Sequence, residues 1–265
     1  FISILFISCA EDKIWVDLNN NNILDDYENP SLQLDIRVHD LLSRMTLDEK
    51  ISQLQGFSKP IDRLGIKPYV WRNEALHGVM ANADNCDSCI KKTTVFPQSI
   101  GLASTWNPGL VYEEATAISD EARALANMID NYRYLNFWNP MINIARDPRW
   151  GRTQEGYGED PFLVSKIAVQ YIKGLQGDDD HYIKTIASPK HFVANNVDGD
   201  RHFTSSEIDE KILRDYYFPA FKSSIVKANA QGLMSAYNAL NGVPCSSNDF
   251  LLNDVLRNEW GFKGH

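Results

Sequence analysis

Ile183 to Asn196 reads IKTIASPKHFVANN, and this stretch decides the fold. Ile183 to Ala187 is a short apolar run with β-branched residues, the pattern of a buried strand. Lys190 and His191 follow at its C-terminal end. In parallel α/β proteins that is the end where ligands bind. A lone Lys-His pair is ordinarily surface chemistry. This pair gains weight from its place after a strand, and from Asp198, Asp200, Arg201 and His202 just downstream.

Helices flank this strand. Asp160-Pro161 supplies a cap and a first-turn proline, with Leu163, Ile167, Tyr171 and Leu175 as one apolar stripe and Gly177 as the stop. Asn107-Pro108 repeats the device ahead of Val111, Ala115, Ile118, Ala122 and Leu125. A further helix is expected over Asp209 to Asn229, bent at Pro219, and another over Phe250 to Glu259. Nearer the start, Ile36, Leu41, Leu42 and Met45 have helical spacing, and Thr46 to Glu49 is a capping box for a helix closing near Gly56. Strand candidates lie between the helices at Tyr69 to Trp71, Leu135 to Trp138 and Leu233 to Ala236. Strand, loop and helix in repetition predict an α/β protein with a parallel sheet.

Arg146 to Pro161 reads RDPRWGRTQEGYGEDP. Its prolines and glycines forbid a long regular element, so it is a loop. Arginine forks, carboxylates and aromatic faces together suit the hydroxyls and flat faces of a sugar ring. The plainer alternative is a solvated loop tied by internal ion pairs, which Trp150 and Tyr157 make the weaker reading. Trp71, Trp138 and Trp150 could each stack on sugar, although tryptophan is as often core as platform.

The 265 residues suit one large α/β domain. Hydrophobic content of 43% and charged content of 23% fit a globular chain with a real core. A formal charge of −9 and the lack of a basic stripe argue against nucleic acid as a partner.

Phe1 to Ser8 is an apolar run ending at Cys9, too short to span a bilayer. It reads as the remnant of a secretory or lipoprotein signal over residues 1–9, with a lipid anchor at Cys9 and an exported location; the alternative is a buried N-terminal strand. Cys86 and Cys89 form one C-x-x-C, half of a zinc site; a disulfide and two free thiols both stay open.

Residues 10–34 read as a polar linker holding an EF-hand-like loop. Asp17, Asn19, Asn21, Asp25 and Glu28 fall at positions one, three, five, nine and twelve, with the Ile23 carbonyl at seven. Asn22 stands where the pattern wants Gly, and Asn tolerates the left-handed conformation. Structural calcium is one reading. A plain linker is preferred, because no clear helix precedes the loop.

Residues 35–265 resemble the N-terminal domain of glycoside hydrolase family 3, the β-glucosidases and β-xylosidases. The matching blocks, in the family's order, are NEALHG (Asn73 to Gly78), VFPQSIGLASTWN (Val95 to Asn107), DPRWGR (Asp147 to Arg152), YGEDP (Tyr157 to Pro161), KHF (Lys190 to Phe192), MSAYNALNGVP (Met234 to Pro244) and NEWGFKG (Asn258 to Gly264). NEALHG is closer to the β-xylosidase branch. KHFVANN lacks the PGHG that carries a histidine in the N-acetylglucosamine-cleaving branch, which disfavours that activity.

The resemblance implies a (β/α)8 TIM-type barrel, here incomplete, with its last units missing. It implies hydrolysis of terminal non-reducing β-D-glycosyl residues by a retaining mechanism, β-xylosidase first and β-glucosidase next, with no cofactor required and an oligosaccharide or β-glycoside as substrate. The alternative is a sugar-binding module or pseudoenzyme. Glu74, Arg152, Lys190, His191 and Tyr237 are the implied substrate-binding residues, with Arg201 and His202 behind them or at the rim. Retaining enzymes need two carboxyls roughly 5–5.5 Å apart. The resemblance puts both beyond His265, the acid/base in a following domain. The chain therefore reads as a fragment cut at both ends, and inactive by itself.

Overall fold

A computed structural model describes residues 15–80, 93–128, 132–180 and 182–265. The readings made for Phe1 to Cys9, and for Cys86 and Cys89, lie outside the described residues. The structure gathers into two compact units, one ending at Tyr69 and one running from Val70 to His265.

In the first unit the capping box forms as expected. Thr46 Oγ1 accepts the Glu49 N–H at 3.2 Å, and Glu49 accepts the Thr46 N–H at 2.7 Å, starting helix Leu47–Ser52 behind helix Leu34–Arg44. The loop from Asp17 to Glu28 is closed by its own polar groups. Glu28, 5% exposed, accepts the N–H groups of Leu18 at 2.7 Å and Asn19 at 3.3 Å. Asp17 accepts those of Asn21 and Asn22. Asp25 accepts the side-chain amides of Asn19 and Asn21 at 2.8 and 2.9 Å, and Arg44 at 2.9 Å. Asn22 takes φ = +61°, the left-handed turn its position demands. Among the described residues, no group of three or more His, Cys, Asp or Glu side chains is placed to hold a metal ion.

In the second unit, helices Pro108–Met128 and Pro161–Gln176 pack together. Asn107 Oδ1 accepts the Leu110 N–H, and Asp160 Oδ1 that of Phe162, so both caps work. Val111, Ala115, Ile118 and Ala122 are fully buried, as are Ile167 and Leu175. Each large aliphatic side chain removed from water contributes roughly 1.5–3 kcal/mol. Contact is close because of Gly174: a Cβ there would lie 2.6 Å from the Tyr112 carbonyl oxygen. Gly177, at φ = +77°, ends the second helix.

Two pairs of short strands run in parallel. Asn136–Phe137 pairs with Ile186–Ala187, and Lys190–Phe192 pairs with Met234–Ser235. A bridge from Met141 to Lys190 continues the first pair. On one side, Trp138 N–H donates to Asn73 O at 2.9 Å; on the other, Leu233 N–H donates to His265 O at 3.0 Å. Neighbouring strands joined through outer helices are the α/β pattern expected of a (β/α) barrel.

Three details differ from expectation. Lys190 and His191 lie on a resumed strand, Lys190–Phe192, because Lys190 N–H regains a backbone partner in Pro140 O at 2.9 Å. The helix expected over Asp209 to Asn229 is interrupted before Pro219, by a π turn at Leu213–Tyr217 between Glu210–Ile212 and Phe218–Val226. Pro219 has no N–H for the carbonyl one turn back, and Phe218 N–H reaches Leu213 O instead. A small sheet of Ser205–Ser206, Ala239–Leu240 and Val243–Pro244 was not anticipated. Its hairpin turns on Asn241-Gly242, at φ of +49° and +82°, the pair that a two-residue loop favours.

Candidate active site

Glu74 is held by the backbone on both sides of it. Asn73 Nδ2 donates to Asn136 O at 3.2 Å. Ala75 N–H donates to Asn139 Oδ1 at 2.7 Å, and the Tyr171 hydroxyl donates to Ala75 O. The carboxylate so placed meets Lys190 Nζ at 2.8 and 2.9 Å. The lysine side chain is 5% exposed and the glutamate side chain 33%. Burial pushes the Glu74 carboxyl up and the Lys190 ammonium down, while the attraction between them opposes both shifts. The lysine end of the pair is thus buried, and the carboxylate end is partly open to solvent.

Arg152 comes from the DPRWGR loop. That loop is braced at Asp147, which accepts Arg149 at 2.6 and 3.0 Å and is held well below the usual carboxylate range by that arginine. Arg152 makes a two-point pair with Glu155 at 2.5 and 2.7 Å. Its other guanidinium nitrogen, Nη1, lies 3.4 Å from His191 Nε2. An internal ion pair therefore forms in this loop, and the same arginine faces the strand residue His191.

His191 is 2% exposed. Burial comes first, then the charges of Arg152, Lys190 and Arg201; together they push its ring down to about 2. Tyr237 follows strand Met234–Ser235, with its ring 5.9 Å from that of His191. Arg201 lies over the Tyr237 ring at 4.5 Å and His202 meets it edge-on at 4.9 Å. The structure thus links Glu74 with Lys190, Arg152 with His191, and His191, Arg201 and His202 with Tyr237. Of the tryptophans, Trp150 is 7% exposed and belongs to the core. Trp71 meets His265 edge-on at 4.8 Å. A cavity of about 430 Å³ beside the loop is lined by Arg146, Arg149, Trp150 and Asp198 among others.

Two site residues escaped the sequence. Asn143 sits under His191 and is 3% exposed. An asparagine in an apolar run, MINIA, was the available signal. Glu155, within the Arg146 to Pro161 loop, takes its place only through its contact with Arg152. Carboxylate, ammonium, guanidinium and imidazole on adjacent strand ends are a set of donors and acceptors for vicinal hydroxyls.

The family described as "Glycosyl hydrolase family 3 N terminal domain" matches residues 36–265. A β-xylosidase/α-L-arabinofuranosidase 2 of Medicago sativa is 39% identical over 260 residues, 94% of this chain and 33% of that protein. A xylan 1,4-β-xylosidase of Xylanibacter ruminicola is 41% identical over 248 residues, 89% of this chain and 28% of that protein. A solved GH3 exo-β-xylosidase (XlnD), in complex with a xylobiose aziridine activity-based probe, has a TM-score of 0.82 at 33% identity, covering 88% of this chain and 31% of that one. β-Glucosidase 3B from Thermotoga neapolitana, in complex with glucose, has a TM-score of 0.75 at 34% identity, over 86% and 33%. The chain spans about a third of the length of these relatives. With the family's model over most of its length and the family's fold in its strands, this chain belongs to glycoside hydrolase family 3 and carries that family's N-terminal domain.

Proposed function

We propose that residues Val70–His265 hold the nonreducing-end sugar of a β-glycoside for an exo-acting, retaining β-glycosidase, with xylose preferred to glucose. The observation that carries this is the buried pairing of Lys190 with Glu74 beside Arg152 and His191. Such a set accepts and donates to neighbouring ring hydroxyls at once and fixes the ring for attack at the anomeric carbon. The β-xylosidase names of the relatives and the NEALHG block support xylose. Glu74 and Glu155 are each paired with a cation, and the chain spans about a third of the length of its relatives.

The 265-residue chain by itself is therefore expected to release no nitrophenol from an aryl β-xyloside, whereas a protein extended with the remainder of the family's architecture hydrolyses it. Turnover by the purified 265-residue chain overturns this assignment of roles. An extended protein that binds xylose without cleaving it would mark a sugar-binding module instead.

The loop from Asp17 to Glu28 has oxygen ligands at EF-hand spacing, although its amides now face Asp25. If calcium loads it, millimolar calcium raises the melting temperature by mass action, and Glu28→Ala abolishes the rise. Identical melting with calcium and with chelator leaves it a polar linker.

A further inference from the structure

The side chain of Asn143 makes three hydrogen bonds with His191. Nδ2 donates to the His191 carbonyl oxygen at 3.0 Å, and Oδ1 accepts the His191 backbone N–H at 2.9 Å. A carbonyl oxygen only accepts and a backbone N–H only donates, so these contacts settle which end of the amide is which. Oδ1 also lies 2.9 Å from His191 Nδ1. An amide oxygen is an acceptor alone, so Nδ1 carries a proton. A neutral imidazole has one N–H, and Nε2 is left with its lone pair. Arg152 Nη1, which can only donate, stands 3.4 Å from that Nε2.

The ring has strong reasons to stay neutral. Arg152, Lys190 and Arg201 are the cations around it, and the Tyr237 ring packs against it. The carboxylates that act on Arg152 are Glu155, Asp198 and Glu74; Glu155 is bound to Arg152 itself and Glu74 to Lys190. A second proton on the ring would be buried among three positive charges.

We propose that Asn143 is a positioning residue: it fixes His191 as the Nδ1–H tautomer, so that Nε2 takes a hydrogen bond from a sugar hydroxyl. This rests on the sugar-binding reading above and divides the labour within it. Lys190 and Arg152 donate to the ring; Glu74 and His191 accept from it. The hydroxyl opposite His191 must then be a free O–H. A methyl ether or fluorine at that carbon leaves Nε2 with only the long 3.4 Å contact from Arg152 Nη1.

The test is NMR on the 265-residue chain with 15N-labelled histidine, His191 being assigned by the signals lost in His191→Gln. The expected spectrum has a protonated Nδ1 and a bare Nε2, unchanged between about pH 5 and 8. Asn143→Asp places a carboxylate against Nδ1 and stabilises a second proton, so the ring should begin to titrate in that window. Asn143→Ala removes the acceptor, so the Nε2–H tautomer should appear. Thermal unfolding of the same samples confirms that each is folded, and the alanine variant serves if the aspartate variant is not. A protonated Nε2 in the parent chain, or a parent ring that titrates in this range, overturns the proposal. So does a parent-like His191 spectrum in Asn143→Ala. In the extended enzyme, Asn143→Ala should lower kcat/KM about tenfold and add a new limb to its pH profile. The NMR result does not depend on turnover. An extended protein that leaves aryl β-xylosides intact would defeat the glycosidase reading and leave the tautomer assignment standing.

Discussion

If the proposed glycosidase reading holds, Lys190→Ala, made in a protein that carries this chain with the remainder of the family's architecture, is expected to cut kcat/KM tenfold to a hundredfold, about 1.5–3 kcal/mol of lost transition-state stabilisation. The lysine ammonium is nearly sealed from water and points at Glu74 with two short contacts. Its loss removes a charged donor to the sugar and releases the carboxylate that should face two vicinal hydroxyls. Both effects act on binding that persists into the transition state, so kcat/KM should register them more fully than KM alone. A pH signature accompanies the change. Burial already raises the Glu74 carboxyl above its unfolded value, and losing Lys190 removes the attraction that opposes this. A carboxyl whose folded pKa lies above its unfolded value weakens the fold as pH rises past the unfolded value, in full above the folded one. The melting deficit of Lys190→Ala should therefore grow from acid to neutral pH. Near-parental kcat/KM with a lowered melting temperature would make the pair structural and remove it from the sugar site.

Glu114→Gln should stabilise the second unit at neutral and alkaline pH. Glu114 lies in helix Pro108–Met128, is 7% exposed, and its Oε1 has no hydrogen-bond partner among the described residues. Burial pushes its carboxyl up to about 7, from an ordinary value of 4.5. The shift makes the charged form costly by about 3 kcal/mol at pH values above the folded pKa. The sign is that of a raised acid: the cost is absent below about 4.5, grows as pH rises, and is complete above about 7. Glutamine removes the charge and keeps the shape. Parent and variant should melt together near pH 4.5 and separate by roughly 6–12 °C at pH 8. Parallel melting curves across that range would show that Glu114 is solvated or paired in solution.

The elements that depend on local chemistry were readable from the chain. Caps at Thr46, Asn107 and Asp160, the stop at Gly177, and the stripe from Val111 to Leu125 all appear where composition and period placed them. Local signals suffice there, because a cap or an apolar face is satisfied within a few residues. What escaped depends on partners far along the chain. The strand at Lys190–Phe192 exists because Pro140 and Met234 lie beside it. The π turn before Pro219 follows from a missing donor, which sequence shows as a proline but not as a change of register. The Asn241-Gly242 turn is a local signal too, set inside the longer MSAYNALNGVP block.

The site followed the same division. Lys190, His191, Arg152 and Glu74 stood out by type and by the family's blocks. Their pairing came from the structure, since 116 residues separate Glu74 from Lys190. For Asn143 the sequence signal is only its place in the apolar run MINIA, because a buried amide takes its role from the atoms it touches. His191 likewise looked like a generic polar ligand until its partners assigned its proton.

The most direct measurement is a crystal structure of the extended enzyme with xylose bound. The account predicts a xylose ring whose hydroxyl oxygens lie within about 3.2 Å of the Glu74 carboxylate, Lys190 Nζ and His191 Nε2. Xylose bound elsewhere, with the Glu74–Lys190 pair and His191 Nε2 untouched, would contradict it.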